Sequence, residues 1–283
     1  MNTMKSLFEY TLSPSVRAFS TTRVSPFDTE LSDGLQRNSN YAAFNVTHYC
    51  GDNEAHVAKN RKWLCEELGI QEAHLIVPHQ THTANVFCVT TDFLLLSDAE
   101  KQSKLENVDA VITDLHHVCI GVSTADCVPI LICDDEHEAV AAIHAGWRGT
   151  VNRIVCSTIE AMNRHFGTQP AQVKVVMGPC ISWQAFEVGD EVVQQFLDNG
   201  FPQSVLGVLR HAGVNDVSAK PHIDLCAANA WLFETLGVPL EHIQISGICT
   251  YANYDTFFLC SSIRNSIWSD FYGHLQKVNH GIA

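Results

Sequence analysis

The chain has 283 residues, 46% hydrophobic, 9% aromatic and 17% charged, enough apolar material for a sizeable core, which excludes a disordered or fibrous protein. Lys and Arg number 17 against 31 Asp and Glu, a formal charge of −14 with His neutral, and that field repels polyphosphate backbones. Nucleic-acid binding is disfavoured, while a charged small substrate can still be held at close range by a few arginines.

The first nineteen residues lack an apolar stretch of signal-peptide length, and no run approaches the ~18 apolar residues of a membrane helix. The expectation is a soluble, cytoplasmic protein forming one domain over residues 1–283. Asp52 is placed to cap a helix over 53–68 that stops at Gly69. β-branched runs at 75–77 and 86–89 read as strands, and the mostly polar stretch 92–107 reads as a loop insertion. Further strands are expected at 110–113, 118–123, 128–132 and 139–143, with Asp134-Asp135-Glu136 as a solvated turn. Thr150 can cap a helix whose apolar positions Val151, Ile154, Val155, Ile159, Met162 and Phe166 share a face before Gly167. A strand at 173–177 and a helix over 224–236 complete the pattern. Five strands between 108 and 178 with one long helix among them argue against strict βαβ alternation and for an α+β layered sandwich.

Eleven cysteines is an odd number without C-x-x-C spacing, and Cys88, Cys119 and Cys133 sit inside apolar runs. Most are therefore reduced core residues rather than a disulfide framework.

Three stretches concentrate the chemistry: His79-Gln80-Thr81-His82, Thr124-Ala125-Asp126-Cys127, and His144-Ala145-Gly146-Trp147-Arg148-Gly149. Cys127 borders one apolar strand and His144 ends another, so both can project into one strand-end crevice. His82, Cys127 and His144 suit a catalytic zinc site, because zinc takes nitrogen and sulfur donors and its catalytic sites keep a fourth position open. Two alternatives stand beside it: hydrogen-bonded loop histidines with a buried thiol, and Cys127 as nucleophile with His144 as its base.

HQTH, STADC, HAGWRG, GPCI followed by FEVG, and CTYANYDTFF, in this order, resemble the YfiH family, also called the laccase-domain, polyphenol-oxidase or peptidoglycan-editing-factor family. The resemblance runs from Thr22-Arg23 through 45–52 to about Phe258. It implies a four-layer α/β/β/α sandwich with internal pseudo-duplication and a His-Cys-His zinc site. The implied activity is purine nucleoside phosphorolysis, a glycosyl transfer, on adenosine, inosine and methylthioadenosine, with adenosine deamination also associated. The implied ligands are His82, Cys127 and His144, and the family's arginines fall on Arg23 and Arg148. Departures are Thr83 where the family has glycine, Val24-Ser25-Pro26 after Arg23, and Phe258-Leu259-Cys260-Ser261-Ser262 in place of a segment with paired arginines, leaving Arg264 nearest.

Phosphorolysis needs an anion site beside the ribose, for which Arg23 and Arg148 offer guanidinium forks. Asn45, Gln80 and Arg264 complete the expected substrate or phosphate contacts. Zinc would polarise an oxygen of substrate or water. The H-x-E and P-C-x-x-C signature of zinc deaminases is absent, so deamination needs another acid–base group. Asp126 is the candidate for orienting a ligand or moving a proton, or else it caps local backbone. Rival functions are a copper polyphenol oxidase, a cysteine hydrolase editing peptidoglycan precursors, and a zinc-dependent nucleotide-binding module. Of 15 histidines only His79 with His82 and His116 with His117 are closely spaced, so the arrays of a multi-copper oxidase are missing, although Cu²⁺ can occupy such a site. The oligomeric state is left open.

Overall fold

The computed structural model describes residues 6–27, 44–207, 220–258 and 279–282. A hairpin of β1 (Leu7–Ser13) and β2 (Val16–Thr21) comes first, followed by α1 (Glu54–Leu68), β3 (Leu75–Ile76) and β4 (Val86–Cys88). Two short helices, α2 (Thr91–Leu94) and α3 (Asp98–Lys104), lead into β5 (Ala110–Thr113), β6 (Cys119–Ser123), β7 (Val128–Asp134) and β8 (Ala139–Ala145). Then come α4 (Trp147–Val151), α5 (Ile154–Phe166), β9 (Lys174–Met177), α6 (Asp190–Asp198), α7 (Gln203–Leu206), α8 (Leu225–Thr235), β10 (Ile243–Ile245) and β11 (Asn279–Ile282). The strands form a five-stranded sheet ordered β1-β2-β11-β6-β3 and a six-stranded sheet ordered β10-β9-β7-β8-β5-β4.

Side chains that alternate along the buried strands build the layers. On β7 and β8, Ile130, Ile132, Ala141 and Ile143 pack with Ile154, Ile159 and Met162 of α5 and Phe233 of α8. Leu131, Cys133, Val140 and Ala142 point the other way, onto Ile120 and Val122 of β6. The far side of the five-stranded sheet, Phe19, Leu75 and Cys119, is covered by Leu64 and Cys65 of α1. Helix, sheet, sheet and helices are therefore stacked in that order, the α/β/β/α sandwich expected of an α+β fold. Because both faces of β7 and β8 are covered, their sequences run apolar from Val128 to Cys133 and from Ala139 to Ile143. No helix among the described residues is long and apolar enough to cross a membrane.

Four local expectations are corrected. Asn53, not Asp52, caps α1: its side chain accepts from the N–H groups of Ala55 (3.0 Å) and His56 (3.2 Å), while Asp52 accepts from Asn53 N (2.8 Å). The helix expected from Thr150 is two helices, since Arg153 at φ 59° interrupts it. That left-handed residue is compensated by tertiary contacts: its guanidinium lies over the rings of Phe201 and Trp231 and donates to Asn199 O at 2.7 Å. The supposed loop 92–107 holds α2 and α3, the latter closed by a capping box of Ser97 and Glu100. Asp134 does sit at a turn, but it is fully buried and holds that turn together by accepting from Glu136 N, His137 N and His137 Nδ1.

Candidate metal centre

Strand register brings the site together. β5 and β8 pair antiparallel with Ala110 opposite Ile143, so Asp109, one residue before β5, meets His144 on β8, and Asp109 O accepts from His144 N at 2.8 Å. β7 and β8 pair with Val128 opposite Ala145, which puts Cys127 beside Gly146. His82 arrives from the loop between β3 and β4.

Asp109 holds these pieces in place. Its Oδ1 accepts from His144 Nδ1 at 2.7 Å and His82 N at 3.0 Å, and its Oδ2 from Thr81 N, Thr83 N and Thr83 Oγ1 at 3.2, 2.8 and 2.7 Å. The group is fully buried; burial alone would raise its pKa, but hydrogen bonding and charge from His144 and bonds from Thr83 prevail and hold it at about 2. This carboxylate also stabilises His82 at φ 64°, a left-handed conformation costly for a side chain with a Cβ. Thr83 contributes two of the five bonds.

With Nδ1 occupied by Asp109, His144 presents Nε2 to the crevice, where it is buried with no hydrogen-bond partner. A buried orphan imidazole nitrogen costs about 1–3 kcal/mol unless something binds it. Cys127 Sγ lies 3.9 Å from His82 Nε2, and the donor atoms of His82, Cys127 and His144 all fall within 4.8 Å of one another. Zinc bonds of about 2.0–2.3 Å in a tetrahedron put such donors about 3.4–3.6 Å apart, so modest contraction closes the set. Between the protein groups alone, burial raises the Cys127 thiol but the charge of His144 overrides it, bringing the pKa to about 6. Burial lowers that of His144, yet the Cys127 charge and the Asp109 bond lift it to about 10. A thiolate and two imidazoles, one with its tautomer fixed by a carboxylate, fit zinc and also copper.

Gly146 leaves room for this set. A Cβ there would meet Cys127 Sγ at 2.8 Å and His82 Cδ2 at 3.1 Å. Its carbonyl accepts from Thr150 N (2.8 Å) and Oγ1 (2.9 Å), and Asn229 Nδ2 donates to that hydroxyl at 3.0 Å, so the backbone has little freedom to retreat. Gly146→Ala is expected to weaken metal affinity about 10-fold or more while the circular dichroism stays native. A chelator competition titration checks this, and unaltered affinity would show that the methyl is accommodated.

The remaining expected residues divide. Asp126, at φ 80°, accepts from Thr250 Oγ1 at 2.8 Å and its carbonyl from Ile181 N at 2.8 Å, so it braces the loop, while the carboxylate bonded to the His144 ring is that of Asp109. Gln80 donates to Ser123 O and accepts from Ser123 N, both at 2.7 Å, pinning its loop to β6. The Asn45 amide is engaged with Thr47, Cys50 and Asp52. His79 pairs with Glu106 at 2.8 Å and stacks on Tyr49, apart from the ligand set. Arg148 is exposed over the Trp147 ring, 4.3 Å from its centroid. Arg23 donates to Tyr254 O at 2.6 Å and lies 5.5 Å from the Phe258 ring, whose segment packs on Ala125. Arg264 lies outside the described residues.

Sequence reasoning missed Asp109. Its one signal was a carboxylate just before the strand run Ala110-Val111-Ile112, a position where it has to find buried partners.

The chain is similar to several known proteins. A purine nucleoside phosphorylase of Bacteroides thetaiotaomicron is 40% identical over 235 residues, 83% of this chain and 85% of that protein. Adenosine deaminase RL5, from an unknown prokaryotic organism, is 40% identical over 262 residues, 93% and 94% of the two chains. The crystal structure of the Bacillus licheniformis hypothetical protein YfiH superposes with a TM-score of 0.81 at 24% identity, covering 98% of this chain and 96% of that one, a likeness of fold alone. Neisseria meningitidis protein NMB0706 superposes with a TM-score of 0.73 at 26% identity, covering 98% of each chain. The sequence profile described as "Multi-copper polyphenol oxidoreductase laccase" matches residues 29–266, and with such a span the chain belongs to that family, the YfiH family.

Proposed function

We propose that this protein is a purine nucleoside phosphorylase that holds zinc through His82, Cys127 and His144 and acts on adenosine, inosine and methylthioadenosine. The observation that carries the reading is the buried, partnerless His144 Nε2 converging with a thiol and a second imidazole, in a chain 40% identical to a protein named for this activity. A divalent ion held there supplies Lewis acidity toward a substrate oxygen. The chain's own groups do the rest. Asp109 keeps His144 in one tautomer and fixes the loop that carries His82. Gly146 leaves the ligand side of the crevice open. Arg148, braced on Trp147 at the rim, takes phosphate oxygens through its guanidinium fork, and at a net charge of −14 it can do so only at short range.

Arg148→Ala is accordingly expected to raise the KM for phosphate about 10-fold, with a smaller change in kcat. Steady-state kinetics at varied phosphate check it, and an unchanged phosphate dependence takes Arg148 out of the anion site. A second reading, adenosine deamination at the same centre, draws on the likeness to adenosine deaminase RL5. One experiment separates the two: metal-analysed protein incubated with adenosine, with and without phosphate, and scored for adenine, ribose 1-phosphate and inosine. Adenine and ribose 1-phosphate only when phosphate is present support phosphorolysis; inosine in both arms supports deamination; no product in either overturns both. The Cys127–His144 pair also suits a thiolate nucleophile in a hydrolase. Labelling of Cys127 by iodoacetamide in metal-replete protein would favour that chemistry, since a coordinated sulfur is protected.

A further inference from the structure

Cys180 follows β9, Cys226 lies in the first turn of α8, and their sulfurs stand 3.2 Å apart. Neither belongs to the metal centre. Cys180 is buried and Cys226, at the margin of the core, is only partly so, which makes Cys226 the more accessible residue of the two. Among the described thiols, burial pushes Cys119 and Cys133 each up to about 12, and Cys180 is itself raised well above the ordinary thiol value by its bond with Cys226 and by burial, which leaves the first step to Cys226. We propose that Cys180 and Cys226 form a peroxide-oxidisable dithiol that closes to a reversible disulfide.

A disulfide needs its sulfurs about 2.05 Å apart, so closure asks for about 1.1 Å of approach, within the reach of side-chain rotation. Cys226, as thiolate, attacks one oxygen of hydrogen peroxide; the O–O bond breaks, the departing hydroxide takes up the thiol's proton as water, and Cys226 becomes a sulfenic acid. The Cys180 sulfur then attacks that sulfur. The S–O bond breaks, the S–S bond forms, and the leaving hydroxide carries away the Cys180 proton as a second water. Two thiols lose two electrons and one peroxide becomes two waters.

Position gives the bond a consequence. Cys180 N donates to Ile248 O at 3.2 Å, Cys180 O accepts from Thr250 N at 2.9 Å, and the next residue, Ile181, donates to Asp126 O at 2.8 Å. Closure therefore ties α8 to the strap that braces Asp126, the neighbour of Cys127. The link joins residues 46 apart in sequence, a loop long enough to raise the unfolding midpoint by about 5–10 °C.

The test treats metal-loaded full-length protein with hydrogen peroxide, blocks free thiols with N-ethylmaleimide, and maps the peptides by mass spectrometry. The expected product joins the Cys180 and Cys226 peptides at about 2 Da below their summed mass and is reversed by dithiothreitol. Cys226→Ser should abolish both that species and the rise in unfolding midpoint. Cys249 is the natural competitor: it is partly exposed and its Sγ accepts from Ser182 N at 3.4 Å. Full alkylation of Cys180 and Cys226 after excess peroxide, or a link from either to Cys249, overturns the assignment, and this mapping on the unmutated protein needs no variant to fold.

Discussion

Replacing Cys127 with serine is expected to remove metal and turnover together. A hydroxyl is not ionised near neutral pH and is a poor substitute for a thiolate, so the site is left with two imidazoles, too few to retain zinc against a chelator. Occupancy should fall from about one ion per chain to about a tenth or less, with activity down by more than the 10–100-fold that outer partners of a ligand typically cost. His82→Ala and His144→Ala should do the same, but they differ in what they cost the fold. His82 is partly exposed on a loop, whereas His144 is buried and its removal takes one of five hydrogen bonds from the Asp109 carboxylate, a charge-assisted bond worth about 1.5–3 kcal/mol. Cys127→Ser is therefore the cleaner probe. Elemental analysis decides it: full zinc occupancy in any of the three variants removes that residue from the ligand set.

The second large effect is expected at Asp109, which touches no substrate. Asp109→Ala leaves His144 Nδ1, three backbone N–H groups and the Thr83 hydroxyl without their acceptor in a buried place. Metal affinity should fall 10–100-fold, and stability by about 3–5 kcal/mol. Asp109→Asn separates the two losses, because the amide oxygen can still accept from the loop while the charge is gone. Its stability should recover in large part and its metal affinity only a little. Chelator competition read beside urea unfolding of the metal-free protein checks this. Equal losses in both measurements for the asparagine variant would reduce Asp109 to a packing role.

Strands β5 to β9 were legible because each is enclosed on both faces or nearly so, which writes an unbroken apolar run between turn residues. β1 reads LFEYTLS and β10 reads IQI, both partly exposed, so their polar positions hide them among loops. The meeting of His82, Cys127 and His144 was legible from the motifs and the resemblance they carry, since Cys127 and His144 border strongly apolar strands that pair side by side. The work of Gln80 and Asn45 was not, because their amides bind backbone and side-chain groups that only the folded register brings near. The same holds for Arg153, whose left-handed backbone follows from Phe201, Trp231 and Asn199, three residues that no local pattern connects to it.

β11 inserts between β2 and β6, with His280 opposite Ser20 on one side and Val122 on the other. A nascent chain leaving the ribosome thus carries its first sheet as two unjoined halves, β1-β2 and β6-β3, whose facing edges have open N–H and C=O groups until residue 282 is made. The wait is longest for these two edges, and they are where a stalled or truncated product would pair with a neighbouring copy and aggregate.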